Sequence, residues 1–348
     1  NKTLMRIIHL VRMWPTKEDP QHGSFIEAHI RASKNIGNET IVIVLGEKPM
    51  DSEKESIIYN ASRKGPLGWI QKYKSVKSAL KILGGCDILH IHGGSWDTAF
   101  ILIKLKFRFG KQIKFAVTEH QSHWFRRPPY GAKLTALISD LRSAVSPALK
   151  EKIEKFGNVR YIPNILKEPS FKNSHSKKIN TKTNRNFLFV GDIIDKTKGI
   201  SGILDAWAVH SLSFSEDILT LVGDGKDTKS LKNKYRLLKN VIWKGRKDQS
   251  QVHEEMWSHD ILIVNSKIET FSMVIGEALE RGLKVISTPC IGPQSVYTDI
   301  DTLIFRKTFF SKELIQLMKE IKASYKPKTF HEFREESVSK SLENWYSS

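Results

Sequence analysis

Two glutamates eight positions apart are the residues whose types and spacing point most directly to chemistry. Glu269 precedes a predicted helix from Met273 to Arg281, and Glu277 lies inside that helix beside its apolar stripe. A buried carboxylate is costly without a partner, and its oxygens can accept hydrogen bonds from vicinal hydroxyl groups. The start of the helix also presents backbone N–H groups to an anion. The segment therefore predicts a site for a nucleoside diphosphate-sugar.

Short apolar strands that alternate with helical patterns must position this site. The predicted strands of the first half are Arg6 to Val11, Thr40 to Gly46, Asp87 to Gly94, Lys114 to His120, Ser143 to Ser146 and Val159 to Asn164. Those of the second half are Asn186 to Asp192, Ile218 to Gly225, Val241 to Gly245, Asp260 to Ser266, Lys284 to Thr288 and Thr302 to Phe305. Such runs predict an α/β protein with two facing, Rossmann-like, doubly wound parallel-sheet domains and a ligand cleft between them.

The predicted domain limits follow from composition. Lys167 to Arg185 is polar, basic and without periodicity, which is typical of a linker or an exposed loop. We therefore expect an N-terminal, acceptor-side domain over residues 1–166 and a nucleotide-sugar domain over residues 167–329. The last stretch, residues 330–348, is amphipathic and is expected to pack back on the first domain.

Charge and cysteine content limit the classes of partner. The 348 residues carry a formal net charge of +19, and residues 1–165 hold 27 Lys and Arg against 14 Asp and Glu. This excess predicts an anionic partner, namely lipid, nucleic acid or a phosphorylated small molecule. Cys86 and Cys290 are too few and too far apart for a disulfide framework. With no apolar run long enough to span a membrane, a cytoplasmic location is the expectation.

Several segments, in order, resemble a known family. Glu269 and Glu277 lie within ETFSMVIGEALERGLKVIST, and LVGDG, VGDIIDKTKGI and YIPN precede it. The chain thereby resembles the retaining nucleotide-sugar glycosyltransferases of the GT-B fold, family 4, with their Glu-x7-Glu motif. The resemblance implies transfer from a UDP- or GDP-sugar to a hydroxyl of a glycan or lipid-linked glycan, in cell-surface polysaccharide or glycoconjugate synthesis.

The resemblance also assigns site residues. It implies catalytic roles for Glu269, Lys198 and His120. It implies donor binding by Glu277, which would hold the ribose hydroxyls, and by Gly23, Phe271, Ser272, Met273, Arg246 and Gly223. It implies no metal and no cofactor, because lysine and backbone dipoles would neutralise the diphosphate.

Two departures from the family pattern bear on these roles. Asp192 stands where the family usually has arginine, so charge for the diphosphate is expected from Lys196, Lys198 or Arg246. Residues 290–295, CIGPQS, replace the usual glycine pair and glutamate. A sugar-nucleotide-binding protein without turnover therefore stays as the alternative function.

Other motifs have competing interpretations. His90 and His92 alternate on a strand and share a face, a spacing that could bind metal, but hydrogen-bonded strand-end histidines are the favoured interpretation. A nicotinamide-dependent dehydrogenase is disfavoured, because no Gly-x-Gly-x-x-Gly turn follows a strand. A nucleic-acid binder would explain the charge but not the paired carboxylates.

A basic helical stripe adds a prediction about membranes. Lys104, Arg108 and Lys111 fall at i, i+4 and i+7. The same surface would include Arg126, Arg127 and Lys133. The stripe predicts either a solvated helix face or contact with anionic lipid on the inner face of the cytoplasmic membrane.

Overall fold

The computed structural model describes residues 4–16, 19–46, 57–61, 65–169 and 184–348. The chain divides into two compact units. Unit 1 comprises Asn1–Ile165 and Glu332–Ser348, and unit 2 comprises Leu166–His331. The predicted linker, Lys167 to Arg185, falls largely outside the described residues.

Unit 1 is built on a parallel sheet in the order β3-β2-β1-β4-β5-β6-β7. Its strands are β1 (Arg6–Val11), β2 (Glu39–Gly46), β3 (Ile57–Ala61), β4 (Ile88–His92), β5 (Lys114–Glu119), β6 (Leu141–Ala144) and β7 (Arg160–Tyr161). Six of these coincide with predicted strands, and β3 is an additional edge strand. The order reverses between β1 and β4, which is the position where sheets of this kind bind ligands.

Unit 2 is built on a second parallel sheet, in the order β10-β9-β8-β11-β12-β13. Its strands are β8 (Asn186–Val190), β9 (Ile218–Val222), β10 (Val241–Gly245), β11 (Ile261–Val264), β12 (Lys284–Ser287) and β13 (Leu303–Phe305). Here the order reverses between β8 and β11. The turns that follow these two strands are therefore neighbours at the carboxyl edge of the sheet.

Helices follow most of the strands in both units. In chain order they are α1 (Ser24–Asn35), α2 (Gly65–Ile82), α3 (Trp96–Phe109), α4 (Tyr130–Ile138), α5 (Pro147–Ile153), α6 (Asp195–Lys198), α7 (Ile200–His210), α8 (Thr228–Lys234), α9 (Gln249–Ser258), α10 (Met273–Glu280), α11 (Ile291–Val296), α12 (Ser311–Glu320) and α13 (Glu335–Tyr346). Among the helices in the described parts of the chain, none has the length and apolarity that a bilayer span requires.

Local sequence explains where several helices begin. Asp248 caps α9 by accepting the backbone N–H of Gln251 at 2.9 Å, and the Gln251 side chain accepts the N–H of Asp248 at 3.1 Å. Helix α5 begins at Pro147, directly after the capping residue Ser146. Both helices therefore start where side chains satisfy otherwise unpaired backbone donors.

The strands are buried on both faces, as their near-continuous apolar sequence predicts. Ile7 and Ile8, which are successive residues of β1, are both fully buried. In unit 2 the same holds for Phe187 and Leu188 of β8. Because successive side chains of a strand point to opposite faces, each sheet is covered by helices on both sides.

The last helix, α13, packs on α1 within unit 1. Glu335 receives a two-pronged salt bridge from Arg31 at 2.9–3.0 Å. Ser339 Oγ donates to the carbonyl of Ala32 at 3.0 Å, and Leu342 is fully buried. The end of the chain therefore completes the core of the unit that contains its beginning.

Candidate functional site at the carboxyl edge of the unit 2 sheet

The turn after β8 and the loop after β11 are held together by one backbone and one side-chain hydrogen bond. The N–H of Lys267 donates to the carbonyl of Thr197 at 2.9 Å. The side-chain amide of Asn265 donates to the carbonyl of Gly199 at 2.6 Å. These bonds fix the short helix α6 against the loop that carries Glu269, at the reversal point of the strand order.

Lys198 and Glu269 form an ion pair across this junction. Lys198 Nζ donates to Glu269 Oε1 at 2.7 Å, and the two side chains are 30% and 18% exposed. Burial alone would lower the pKa of Lys198, but the neighbouring Glu269 carboxylate raises it above its ordinary value. The lysine therefore stays positively charged while part of it remains accessible to a ligand.

A buried arginine, Arg306, stabilises the same junction through Asn265. Arg306, directly after β13, is 2% exposed and donates through Nη2 to Asn265, which in turn holds Gly199. Burial lowers the pKa of Arg306. Sequence reasoning missed both Asn265 and Arg306, because neither residue type at these positions indicates that the two meet.

Glu277 lies inside α10, only 8% exposed, and has polar partners. Gln249 Nε2 donates to Glu277 Oε1 at 3.1 Å, and His253 Nε2 lies 3.7 Å from the same oxygen. Burial favours the protonated carboxyl group, but His253 and the other neighbours hold the pKa of Glu277 below its ordinary value. Glu277 is therefore a charged acceptor.

The residues before α10 have an unusual backbone. Ser272 adopts φ 64° and ψ 77°, a left-handed conformation that is uncommon for a residue with a side chain. It is held by Tyr297, whose hydroxyl donates to the Ser272 carbonyl at 3.1 Å, and Tyr297 also packs edge-on against Phe271. Backbone strain of this kind concentrates at ligand sites. Met273 is the first residue of the helix.

The loops after β8 and β9 meet backbone to backbone. Gly223 allows this contact, because a Cβ atom there would lie 1.9 Å from the carbonyl oxygen of Gly191. Beside this contact, the Arg246 guanidinium approaches the Asp192 carboxylate at 3.9 Å, and both side chains are largely exposed. Asp192 therefore lies near Arg246, a cation that was expected to face the diphosphate.

Gly23 and His120, the two predicted site residues of the first half, lie in unit 1. Gly23 caps α1 with φ 77°, and a Cβ atom there would lie 2.6 Å from the backbone of Met13. This close approach to its own chain is sufficient to require glycine. His120 follows β5, is 8% exposed and belongs to a buried group of histidines.

That group, the histidine cluster, consists of His9, His29, His90, His92 and His120. His92 Nε2 lies 3.2 Å from His9 Nδ1, and His92 Nδ1 lies 3.2 Å from His120 Nε2. Burial lowers the pKa of every member, to about 3 for His9 and to about 4 for His29. The cluster is therefore uncharged at neutral pH.

The hydrogen bonds predicted for His90 and His92 are present. His90 Nδ1 lies 2.8 Å from the Tyr346 hydroxyl, and His90 Nε2 lies 2.7 Å from Thr118 Oγ1. The sequence did not indicate that His9 joins them, since it is 81 positions from His90 and meets it only through strand register.

A pocket of about 750 Å³ lies at the other end of the unit 1 sheet. Its lining includes Arg6 and Glu39, the first residues of β1 and β2, and Asp87, which precedes β4. In a parallel sheet these amino ends lie opposite the carboxyl ends that carry the histidine cluster. The pocket is therefore separate from the residues predicted to do chemistry.

Sequence comparison finds one protein family that matches unit 2. The family described as glycosyl transferases group 1 matches residues 171–336, slightly under half of the chain and nearly all of unit 2. No curated protein sequence matches the chain significantly.

Solved structures match over nearly the entire chain. The lipopolysaccharide outer core galactosyltransferase WaaB has a TM-score of 0.74 at 19% identity, with 98% of each chain covered. Anabaena HepE in complex with UDP has a TM-score of 0.65 at 15% identity, covering 99% of this chain and 95% of HepE. The Methanocaldococcus jannaschii UDP-GlcNAc 2-epimerase has a TM-score of 0.62 at 14% identity, covering 97% of this chain and 99% of that protein. These identities show the fold alone, and the predicted GT-B fold class is confirmed.

Proposed function

We propose that this chain is a glycosyltransferase that moves a sugar from a nucleoside diphosphate-sugar to a hydroxyl of a glycan or lipid-linked glycan. The observation that carries the proposal is the Lys198–Glu269 ion pair at the strand-order reversal of unit 2, 2.7 Å long and partly exposed. The match of this unit to glycosyl transferases group 1 supports it.

Lys198, Glu269, Glu277 and the start of α10 have the following roles in this proposal. Lys198 neutralises the diphosphate, together with the backbone N–H groups at the start of α10. Glu277, charged and nearly buried, accepts hydrogen bonds from the two ribose hydroxyls. Glu269 orients Lys198 and contacts the donor sugar. The roles of His120 and Gly23 in unit 1 stay predictions.

The proposed reaction retains the anomeric configuration. The bond from the anomeric carbon to the phosphate oxygen breaks, and a bond to the acceptor oxygen forms on the same face. The departing phosphate oxygen takes the acceptor proton, so the chain needs to supply position and positive charge. Lys198 supplies that charge, and we propose that the reaction needs no metal.

Uracil is the base that we propose for the donor. The HepE structures contain UDP, UDP with glucose, and UDP-glucose. These ligands belong to HepE, and for this chain they identify UDP as the nucleotide to test first against GDP and ADP.

The proposal is tested by binding and turnover together. Calorimetry with UDP, GDP and ADP should give binding with UDP that weakens at least about tenfold in Glu277→Gln. Glu254→Gln, an exposed change on α9, should leave binding unaltered. Transfer or hydrolysis of UDP-sugars should then be seen with the wild type and be lost in Glu269→Ala.

Other outcomes separate the alternatives. UDP binding with no product in wild type or variant supports the binding protein without turnover, which Asp192 motivates. Conversion of a UDP-sugar into its epimer supports the epimerase activity named for one protein of this fold. Absence of binding by all three nucleotides contradicts the proposal.

We further propose that unit 1 contacts an anionic membrane surface. On α3 the exposed side chain of Phe107 (95%) adjoins the exposed cations Lys104 and Arg108 in sequence, and the packed helix α4 exposes Tyr130 (74%) and Leu137 (57%). Apolar groups among cations suit the interface of an anionic bilayer, where each cation contributes about 1 kcal/mol.

Sedimentation with liposomes tests this surface. Binding to phosphatidylglycerol vesicles, loss of binding to zwitterionic vesicles and weaker binding of Phe107→Ser are the expected results. The membrane proposal is contradicted if equal amounts of the protein sediment with both vesicle types at every salt concentration.

A further inference from the structure

Three members of the histidine cluster converge from two adjacent strands. His90 and His92 are two positions apart on β4 and share a face, and His9 on β1 is the register partner of His90. His9 and His90 are 0% exposed, and His92 is 4% exposed. One ring nitrogen of each lies within 4.8 Å of the ring nitrogens of the other two.

The spacing fits a transition-metal ion. Zinc binds imidazole nitrogen at about 2.0–2.1 Å in tetrahedral geometry, so two ligating nitrogens lie about 3.3 Å apart. His9 Nδ1 and His92 Nε2 are 3.2 Å apart. With Nδ1 as the ligating atom, the outer nitrogen of His9 is Nε2, which is buried and has no hydrogen-bond partner among the described residues.

The surroundings of two of the three rings, His90 and His92, also suit ligation. A ligating histidine usually donates its second ring N–H to a fixed acceptor. His92 has such a neighbour in His120 Nε2, and His90 has two candidates, the hydroxyls of Thr118 and Tyr346. His90 would give up one of these two contacts and keep the other as its outer partner.

The ligand types narrow the choice of ion. Magnesium and calcium prefer carboxylate and carbonyl oxygens, whereas imidazole suits zinc, copper and nickel. Zinc accepts three histidines and leaves a fourth position for water. We propose that His9, His90 and His92 bind one Zn²⁺ ion in unit 1.

Metal binding can be measured directly on the untagged full chain, without any sugar nucleotide, so the result does not depend on the proposed function. After chelator treatment and exposure to Zn²⁺, elemental analysis should give about one ion per chain. Replacement by Co²⁺ should give the visible absorption of a tetrahedral site with nitrogen ligands.

Two variants and a matched control locate the site. His9→Gln and His92→Gln should each weaken Zn²⁺ binding at least about tenfold. His29→Gln changes a buried histidine of the same cluster that is not one of the three, and it should bind Zn²⁺ as the wild type does. Circular dichroism verifies that each variant is folded.

The wild type alone is decisive if a variant does not fold. Well under one ion per chain, or Co²⁺ spectra of an octahedral aquo ion only, overturns the proposal. So does a folded His9→Gln protein that binds Zn²⁺ as tightly as the wild type.

Discussion

The Lys198–Glu269 ion pair determines how much positive charge the turn after β8 can offer to an anion. Glu269 raises the lysine pKa and thereby keeps the ammonium group charged against the effect of burial. The same carboxylate also competes with a phosphate for that ammonium group. A ligand with two or more negative charges can outcompete a single carboxylate, which favours a diphosphate over a monoanion.

Lys198→Met should therefore affect catalysis more than folding. We expect kcat/KM to fall about 100-fold or more, since the cation that stabilises the leaving group is lost. Lys319→Met, an exposed change on α12 of the same unit, should leave kcat/KM unaltered. Steady-state kinetics with the UDP-sugar identified by the binding screen measures both. A similar kcat/KM for Lys198→Met and wild type contradicts the role of Lys198.

Glu119 predicts a pH dependence of the stability of unit 1. Burial raises its pKa to about 7 from an ordinary 4.5, although the N–H of Gly94 donates to it at 2.8 Å. A raised carboxyl pKa means that the native state holds its proton longer than the unfolded chain does. Stability is therefore lost as pH rises from 4.5 to 7, by about 3 kcal/mol in total.

Glu119→Gln cannot ionise and should remove this loss. Urea unfolding should show the variant more stable than wild type at pH 8 and similar to it at pH 5. Glu151→Gln, an exposed change on α5, should follow the wild type at both pH values. Equal gains for Glu119→Gln at both pH values would mean that ionisation is not the cause.

Single residues also show what sequence reasoning could reach. Lys198 and Glu269 could be assigned to one site, because the resemblance places both of them next to a donor. Asn265, Arg306 and His9 could not, because their partners are set by the register of strands distant in sequence. Residue types identify chemistry, but the contacts of a buried polar side chain require the tertiary structure.

At the scale of elements, backbone contact between loops sets the shape of the carboxyl edge of unit 2. The N–H of Gly223 donates to the carbonyl of Gly245 at 2.8 Å, and the N–H of Gly191 donates to the carbonyl of Val222 at 3.0 Å. Turns after β8, β9 and β10 thereby form one connected layer. Lys198 lies in the segment that follows β8 and therefore continues from this layer.

Gly223→Ala should disrupt the layer. Its Cβ atom would lie 1.9 Å from the Gly191 oxygen, whereas a Cβ atom at Gly245 has nothing within 4 Å. Both glycines have positive φ, so Gly245→Ala measures backbone strain without the clash. We expect Gly223→Ala to lower the free energy of unfolding by at least about 2 kcal/mol more than Gly245→Ala. Denaturant unfolding measures the difference, and equal losses would exclude the clash.

The sequence predicted the limits of some helices and strands closely and missed one strand, and the difference has a physical cause. Helix α10 and strands β8 to β12 have apolar patterns bounded by glycine or by capping residues, and the predicted limits lie close to the observed ones. The edge strand β3, Ile57–Ala61, was missed because it is short and lies in a polar, charged segment. An edge strand pairs on one side only and therefore carries a weaker apolar signal.

At the scale of the whole molecule, the chain returns to its starting unit. Helix α13 buries Val338, Leu342 and Trp345 against the same cluster as Ile7 of β1 and Ala32 of α1. Tyr346 from this helix also contacts His90. The core of unit 1 is therefore incomplete until the last residues are in place.

Leu342→Ala should destabilise unit 1 and leave the sheet of unit 2 intact. Truncation of a fully buried leucine costs about 2–5 kcal/mol, and Asn344→Ala, an exposed change on the same helix, should cost little. Hydrogen exchange should show faster exchange in β1, β4 and β5, with β8, β9 and β11 unchanged. Equal loss of protection in both sheets would mean that the two units unfold as one.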